Sequence, residues 1–174
     1  MASYYYLIAS LPDLKSDGEM PLSYEEFLAS CKGVVPKPTY DLLENLDLSS
    51  TKGPLLKEWA KSYGVMTDEL NEQRRARLGK GSKGQVSGHD DLASQAATSA
   101  LAAKNPLEAE KILLDYQFRL LDELVGFHTF DDYVLFGYAI KLKLLERQAC
   151  FVQEKGSKEF RRLLGDVQQR VYSI

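Results

Sequence analysis

The chain has 174 residues, 44% of them hydrophobic and 27% charged, with a formal net charge of −3 at pH 7. This composition excludes a disordered, collagen-like or membrane-spanning chain, and the length suits one or two small domains around a hydrophobic core. The only two cysteines, Cys31 and Cys150, lie too far apart in sequence for the spacing of a zinc site or a disulfide framework. Because no stretch resembles a signal peptide or a membrane span, we expect a cytoplasmic protein.

The small net charge conceals acidic and basic blocks along the chain. Residues 1–73 hold 12 acidic and 6 basic side chains, whereas residues 74–83 hold 5 basic side chains and no acidic one. Residues 84–132 are acidic again, and residues 133–174 are basic, with 8 Lys or Arg against 4 Asp or Glu. We expect a chain patterned in this way to meet differently charged partners along its length.

The first predicted region, residues 1–78, should hold several short helices. Residues 4–11 are either helical or a lone extended segment, because three tyrosines and an isoleucine favour a strand but no partner strand is evident. Ser23 and Glu26 form a capping box, which predicts the start of a helix there. Three further helices are predicted at residues 40–46, 54–63 and 67–77.

Glycine and lysine dominate residues 79–90, which we interpret as a flexible linker. Residues 79–84 match the GxGxxG pattern of dinucleotide-binding folds, but a polar, arginine-rich helix precedes them where that fold requires a hydrophobic strand. The linker interpretation is therefore favoured over cofactor binding. The six alanines of residues 91–104 predict a helix that buries little surface and needs close neighbours.

Residues 91–174 show the clearest helical periodicity and are predicted to form a hairpin with a closing helix. Pro106 is placed to open the first long helix, and Gly126 is placed to end it. A second long helix, with Thr129 as its N-cap, is predicted to run to about Gln153. Only about five residues join the two helices, so they should lie antiparallel.

The second of these long helices is apolar on more than one face. One seam contains Leu135, Tyr138, Leu142 and Leu145, and the other contains Tyr133, Phe136, Ile140 and Leu144. One neighbouring helix cannot cover both seams. A break at Gly156 is predicted, followed by an amphipathic helix that supplies one of the missing covers. Its apolar stripe consists of Phe160, Leu163, Leu164, Val167 and Val171. The predicted fold is therefore an all-α, elongated helical bundle with a long antiparallel C-terminal hairpin, in which residues 91–174 share one core.

Catalytic and metal-binding patterns are hard to assemble from this sequence. His89 and His128 have no second histidine or cysteine at ligand spacing, so we expect neither a metal nor a cofactor. Acidic pairs at 90–91 and 131–132 are explained by helix starts, where carboxylates favour the helix dipole. No nucleophile can be combined with a base and an orienting group, so we do not expect an enzyme.

Two groups of residues remain as candidate partner-binding sites. The basic group is Arg74, Arg75, Arg77, Lys80 and Lys83, and the apolar group is Tyr133, Phe136, Ile140 and Leu144. The surplus apolar helix surface is explained either by the core of a helical bundle or by docking onto protein partners. The alternative is a helical protein that binds nucleic acid, or proteins in general, through residues 74–83. This alternative lacks the interleaved aromatic residues that stack on bases.

Two segments resemble known families. Residues 5–12 (YYLIASLP) and 21–28 (PLSYEEFL) resemble an uncharacterised bacterial family encoded alongside the subunits of V/A-type rotary ATPases. Residues 133–147, with the helix that follows, are similar to the last helices of the central-stalk subunit that sits between the rotor ring and the shaft of those ATPases. The resemblance implies an all-α, non-catalytic coupling or assembly subunit. Its expected partners are the shaft and rotor-ring subunits, which would place it at the inner membrane face without insertion. The chain is shorter than the complete central-stalk subunit.

Overall fold

The computed structural model describes residues 4–80, 90–151 and 153–172. Within these ranges the regular secondary structure is entirely helical, which confirms the all-α prediction. The helices are α1 (Tyr5–Ser10), α2 (Tyr24–Cys31), α3 (Lys37–Glu44), α4 (Leu56–Arg77), α5 (Asp91–Ala102), α6 (Pro106–Val125), α7 (Asp132–Ala149) and α8 (Gln153–Tyr172). Most of the predicted 79–90 linker, including the greater part of the GxGxxG match, lies outside the described residues.

Local sequence signals place several helix ends as predicted. The Ser23 hydroxyl accepts a hydrogen bond from the Glu26 backbone N–H, and the Glu26 carboxylate accepts one from the Ser23 N–H at 2.7 Å. The bond from the Ser23 N–H, together with one that the Ser23 hydroxyl donates to the same carboxylate, holds the pKa of the Glu26 carboxyl below its usual value. Pro106 is the first residue of α6, and Gly126 follows the helix with a φ of 54°. That conformation is strained for most residues but open to glycine.

Two predicted helices merge into the single helix α4. The sequence Thr67-Asp68-Glu69 predicted a new helix start, but the Thr67 hydroxyl donates to the carbonyl of Tyr63, one turn earlier, at 2.9 Å. A threonine bonded in this way stays within a continuous helix. The predicted boundary between residues 63 and 67 is therefore wrong, because the side chain satisfies a carbonyl instead of a free N–H.

The predicted ends of α7 are also shifted. Asp131, rather than Thr129, is the N-cap, since its carboxylate accepts hydrogen bonds from the Tyr133 and Val134 N–H groups. The helix ends at Ala149, and α8 continues through Gly156, where a break was predicted. A glycine inside a helix costs only about 1 kcal/mol, which neighbouring helix formers can offset.

The main core surrounds α7, whose two apolar seams are both covered within the chain. Helices α2 and α3 pack against α7 on one side and α6 packs against it on another. The largest fully buried side chains of this core are Phe27, Leu43, Trp59, Leu121, Leu135, Phe136, Ile140 and Leu142. The N-terminal helices thus supply the cover that the sequence pattern assigned to the closing helix.

Polar pairs show how α6 and α7 run past each other. Asp122, near the end of α6, pairs with Lys141 at 2.6 Å, and Glu110, near its start, pairs with Arg147 at 2.8 Å. The later residue of α6 pairs with the earlier residue of α7, and the earlier residue of α6 pairs with the later one. This order shows that the two helices are antiparallel. The helices approach closely at Gly137, where an added Cβ would lie 2.7 Å from Cγ2 of Val125.

A second, smaller core joins α4, α5 and α6. It consists of Met66, Leu70, Ala93, Ala97, Ala100 and Leu113. The three alanines lie at spacings of four and three residues, so one small-residue face of α5 lies against its neighbours. This confirms the prediction that the alanine-rich helix requires close packing partners.

Helix α8 does not bury its described apolar residues. Phe160 is 62% exposed, Leu163 is 50% exposed and Leu164 is 45% exposed. The prediction that this helix covers the hairpin is therefore wrong for these residues, because α2 and α3 already occupy the apolar faces of α7. The side chains at positions 167 and 171 of the predicted stripe lie outside what the structure describes.

Candidate partner-binding surfaces

The apolar group of predicted partner-binding residues belongs to the interior of the protein. Phe136 and Ile140 are completely buried, Leu144 is 2% exposed, and all three belong to the main core. Tyr133 is half-buried, and its ring stacks on the imidazole of His128 with centroids 4.2 Å apart. The prediction of a docking face is therefore wrong for Phe136, Ile140 and Leu144, because these side chains are buried in the main core.

The basic group lies at the C-terminal end of α4, where positive charge is favourable to the helix dipole. Arg74 and Lys80 are exposed, whereas Arg75 is half-buried. Arg77 donates a hydrogen bond from Nη1 to the backbone carbonyl of Leu101 in α5. Part of this group therefore holds α4 against α5, and Lys83 lies outside the described residues. The structure thus brings Arg77 of the basic group to α5 and places Phe136, Ile140 and Leu144 of the apolar group inside the main core.

Helix α8 exposes three apolar side chains; elsewhere among the described residues Tyr6, Leu78 and Phe127 are also exposed. Phe160, Leu163 and Leu164 are three and four residues apart, so their side chains share one face of the helix. The neighbouring Arg162 is paired with Glu159 through hydrogen bonds of 3.0 and 3.1 Å, which raise the pKa of the guanidinium. An apolar helix face flanked by charged residues is a common means of binding another helical protein.

A groove of about 490 Å³ lies between α5 and α6. Its apolar lining consists of Leu92, Ala96, Ile112 and Leu120. Near one end the Tyr116 hydroxyl donates to the carboxylate of Asp90 at 3.2 Å, and burial together with this acid raises the pKa of the tyrosine. The sequence analysis missed this groove. Leu92 and Ala96 mark a second apolar face on α5, and Ile112 and Leu120 mark one on α6. The spacing of these residues was the signal available in the sequence.

An aromatic cluster ties the N-terminus to the link between α6 and α7. The Tyr4 N–H donates to the carbonyl of Phe130, and its hydroxyl donates to Asp132, both at 2.8 Å. Tyr5 packs on the Phe130 ring with centroids 4.6 Å apart, and Tyr6 is 87% exposed. The run of three tyrosines was the signal in the sequence, but its contact with residue 130 depends on the tertiary fold.

The two cysteines have opposite environments. Cys31 is completely buried in α2, and desolvation raises the pKa of its thiol to about 11. Cys150 is exposed just after α7, with its sulfur 3.3 Å from the carbonyl oxygen of Glu146. Among the described residues, no group of three or more His, Cys, Asp or Glu side chains could hold a metal ion. No helix in the same part of the chain is long and apolar enough to cross a membrane.

These surfaces define an all-α protein with two features suited to binding other helices, the apolar face of α8 and the groove between α5 and α6. Residues 91–171 match the model of a family described as a protein of unknown function, DUF2764. The match spans less than half of the chain and includes both features. No curated protein matches the chain, and no solved structure does either.

Proposed function

We propose that this chain is a non-catalytic coupling or assembly subunit of a V/A-type rotary ATPase, docked onto its helical subunits by α8. The observation that carries the proposal is the exposed apolar face formed by Phe160, Leu163 and Leu164. The resemblance of residues 5–12 and 21–28 to a family encoded with these ATPases supports the choice of partner.

The energetics of α8 favour a partner. Fully burying a leucine or phenylalanine side chain is worth about 1.5–3 kcal/mol, and all three side chains retain close to half or more of their exposure. A helical partner that covers them would gain about half of this free energy for each side chain without unfolding any part of the main core. The helix also carries 5 basic and 3 acidic residues, so an acidic partner surface suits it best.

The rest of the fold would act as a rigid support for α8. Helix α7 is enclosed by α2, α3 and α6, and ion pairs of Asp122 with Lys141 and of Glu110 with Arg147 join the long helices. A subunit that transmits force through shape requires such a support. Under this proposal the shaft and rotor-ring subunits are the partners, and the chain associates with the inner membrane face only through the complex.

Co-purification with the ATPase tests the proposal. The tagged chain should retain shaft or rotor subunits when it is expressed with them in mild salt. Leu163→Asp should reduce the retained amount at least about tenfold, because a carboxylate on the apolar face opposes burial. Leu107→Asp, at another leucine about half exposed, is the matched control and should retain the partners. The proposal fails if the unaltered chain retains no ATPase subunit, or if both variants retain them equally.

A further inference from the structure

Two apolar surfaces of this chain are complementary to each other. We propose that in the free protein α8 of one copy binds in the α5–α6 groove of a second copy, and that the exchange is reciprocal. The inference rests on the same α8 face as the proposed function, and adds a second binding site, the groove, and its occupant, a second copy of this chain.

The groove has the form required to receive a helix. Its sides are two neighbouring helices, and its apolar residues lie along one face of each, at Leu92 and Ala96 of α5 and at Ile112 and Leu120 of α6. Leu92 is 54% exposed, so the apolar lining of the groove is only partly covered by the chain itself. An amphipathic helix places residues spaced by three and four into such a groove, which is the spacing of Phe160, Leu163 and Leu164.

The charge of the groove favours a basic helix as its occupant. The groove is lined by three acidic side chains, Asp90, Asp115 and Glu123, and by a single basic one, Arg119. Arg119 already pairs with Asp115, one turn away on the same helix. The groove is thus acidic, whereas α8 carries more basic than acidic residues. Arg161, next to Phe160 and one turn before Leu164, would lie beside the Glu123 end of the groove.

Every chain carries both the apolar face of α8 and the α5–α6 groove, so each of two copies can bind α8 of the other. In the described structure the groove is lined only by α5, α6 and Asp90, and Phe160, Leu163 and Leu164 of α8 are exposed, so these residues do not fill the groove of their own chain. A reciprocal exchange gives a closed, two-fold symmetric dimer that leaves neither apolar surface uncovered.

Light scattering after size-exclusion chromatography, over a dilution series of the purified full chain, tests the dimer. The unaltered chain and Leu107→Asp should be dimers. Leu92→Asp in the groove and Leu163→Asp on α8 should each be monomers with unchanged helical content by circular dichroism. Both altered residues are about half exposed, so the variants should fold. A monomeric unaltered chain would overturn the proposal, as would a Leu92→Asp dimer, which would mean that α8 pairs with α8.

A charge exchange tests the predicted orientation of α8 in the groove. Arg161→Glu alone and Glu123→Arg alone should each raise the dimer dissociation constant about tenfold, because each opposes like charges across the contact. The double variant should restore it to within about threefold of the original value. If the double variant dimerises as weakly as the combined effects of the two single changes predict, Arg161 does not face Glu123 and the proposed docking is wrong.

The dimer and the proposed function can fail separately. Leu92→Asp should abolish the dimer yet still co-purify with the ATPase subunits, since its α8 is intact. If the chain is monomeric but retains those subunits, only the dimer is overturned. If it is a dimer that retains none of them, the proposed function is overturned and the groove contact remains.

Discussion

Cys31 and Cys150 show how the environment of a residue, rather than its type, sets its chemistry. Both are isolated cysteines in the sequence, with no metal or disulfide spacing to distinguish them. In the folded chain Cys31 is buried with a thiol pKa raised to about 11, while Cys150 is exposed. Since only the thiolate is nucleophilic, the two should differ greatly in reactivity.

We therefore expect one fast-reacting thiol per native chain. A rise of about two pKa units lowers the thiolate fraction about 100-fold, and burial slows the reaction further. With a chromogenic disulfide reagent at pH 8, Cys150→Ser should remove the fast phase, and unfolding that variant in guanidinium should make Cys31 react quickly. Two fast thiols in the native chain would show that Cys31 is accessible.

The residues that begin and end helices could be predicted from the sequence where their roles depend on neighbours within one helical turn. The Ser23–Glu26 capping box, Pro106 and Gly126 all depend on neighbours within four residues, and all lie where expected. Leu55 could not be predicted, because its φ of 66° is unusual for leucine. Its side chain is buried, and its Cδ2 lies 3.5 Å from the position of an added Cβ on Gly137 in α7, a contact that depends on the tertiary fold.

At the scale of elements, the apolar periodicity of α7 and its packing against α6 were predicted from the sequence, but its second cover was not. Two apolar faces indicated two covers, and the chain supplies them from α2, α3 and α6. A sequence pattern shows that a face is buried, but the identity of the element that buries it depends on tertiary packing. The same limit explains why α8 was expected to close the core and why the α5–α6 groove was missed.

Helical glycines offer a matched test of that packing. Gly64 in α4 has no neighbouring heavy atom within 4 Å of an added Cβ, whereas Gly137 in α7 would meet Val125 at 2.7 Å. Gly64→Ala should raise the free energy of unfolding by about 0.5–1 kcal/mol, because alanine loses less backbone entropy. Gly137→Ala should be less stable than Gly64→Ala by about 1–3 kcal/mol through overpacking against α6.

Urea denaturation, followed by circular dichroism, measures both variants. Equal slopes with denaturant would allow the two free energies to be compared directly. If Gly137→Ala gains as much stability as Gly64→Ala, then α6 and α7 do not approach closely at this position, and the packing of the main core described above is wrong there.

At the scale of the whole molecule, the residues that form the cores differ from the residues that we propose for binding. Phe136, Ile140 and Leu144 were expected to dock onto a partner, but they lie buried in the main core. The surfaces that we propose for partners are the exposed apolar face of α8 and the acidic groove between α5 and α6. The charge blocks of the sequence agree with this division, since residues 84–132 are acidic and residues 133–174 are basic.

The proposed docking of α8 onto the rotary ATPase can be tested in living cells of the source organism by photo-cross-linking. A photo-reactive residue in place of Leu163 lies within the apolar face, whereas one in place of Lys158 lies about half a turn away from it. We predict a covalent product with a shaft or rotor subunit from position 163, and at least about tenfold less from position 158, because reaction requires direct contact. Products from position 163 that contain no ATPase subunit, or equal products from both positions, would contradict the proposed docking.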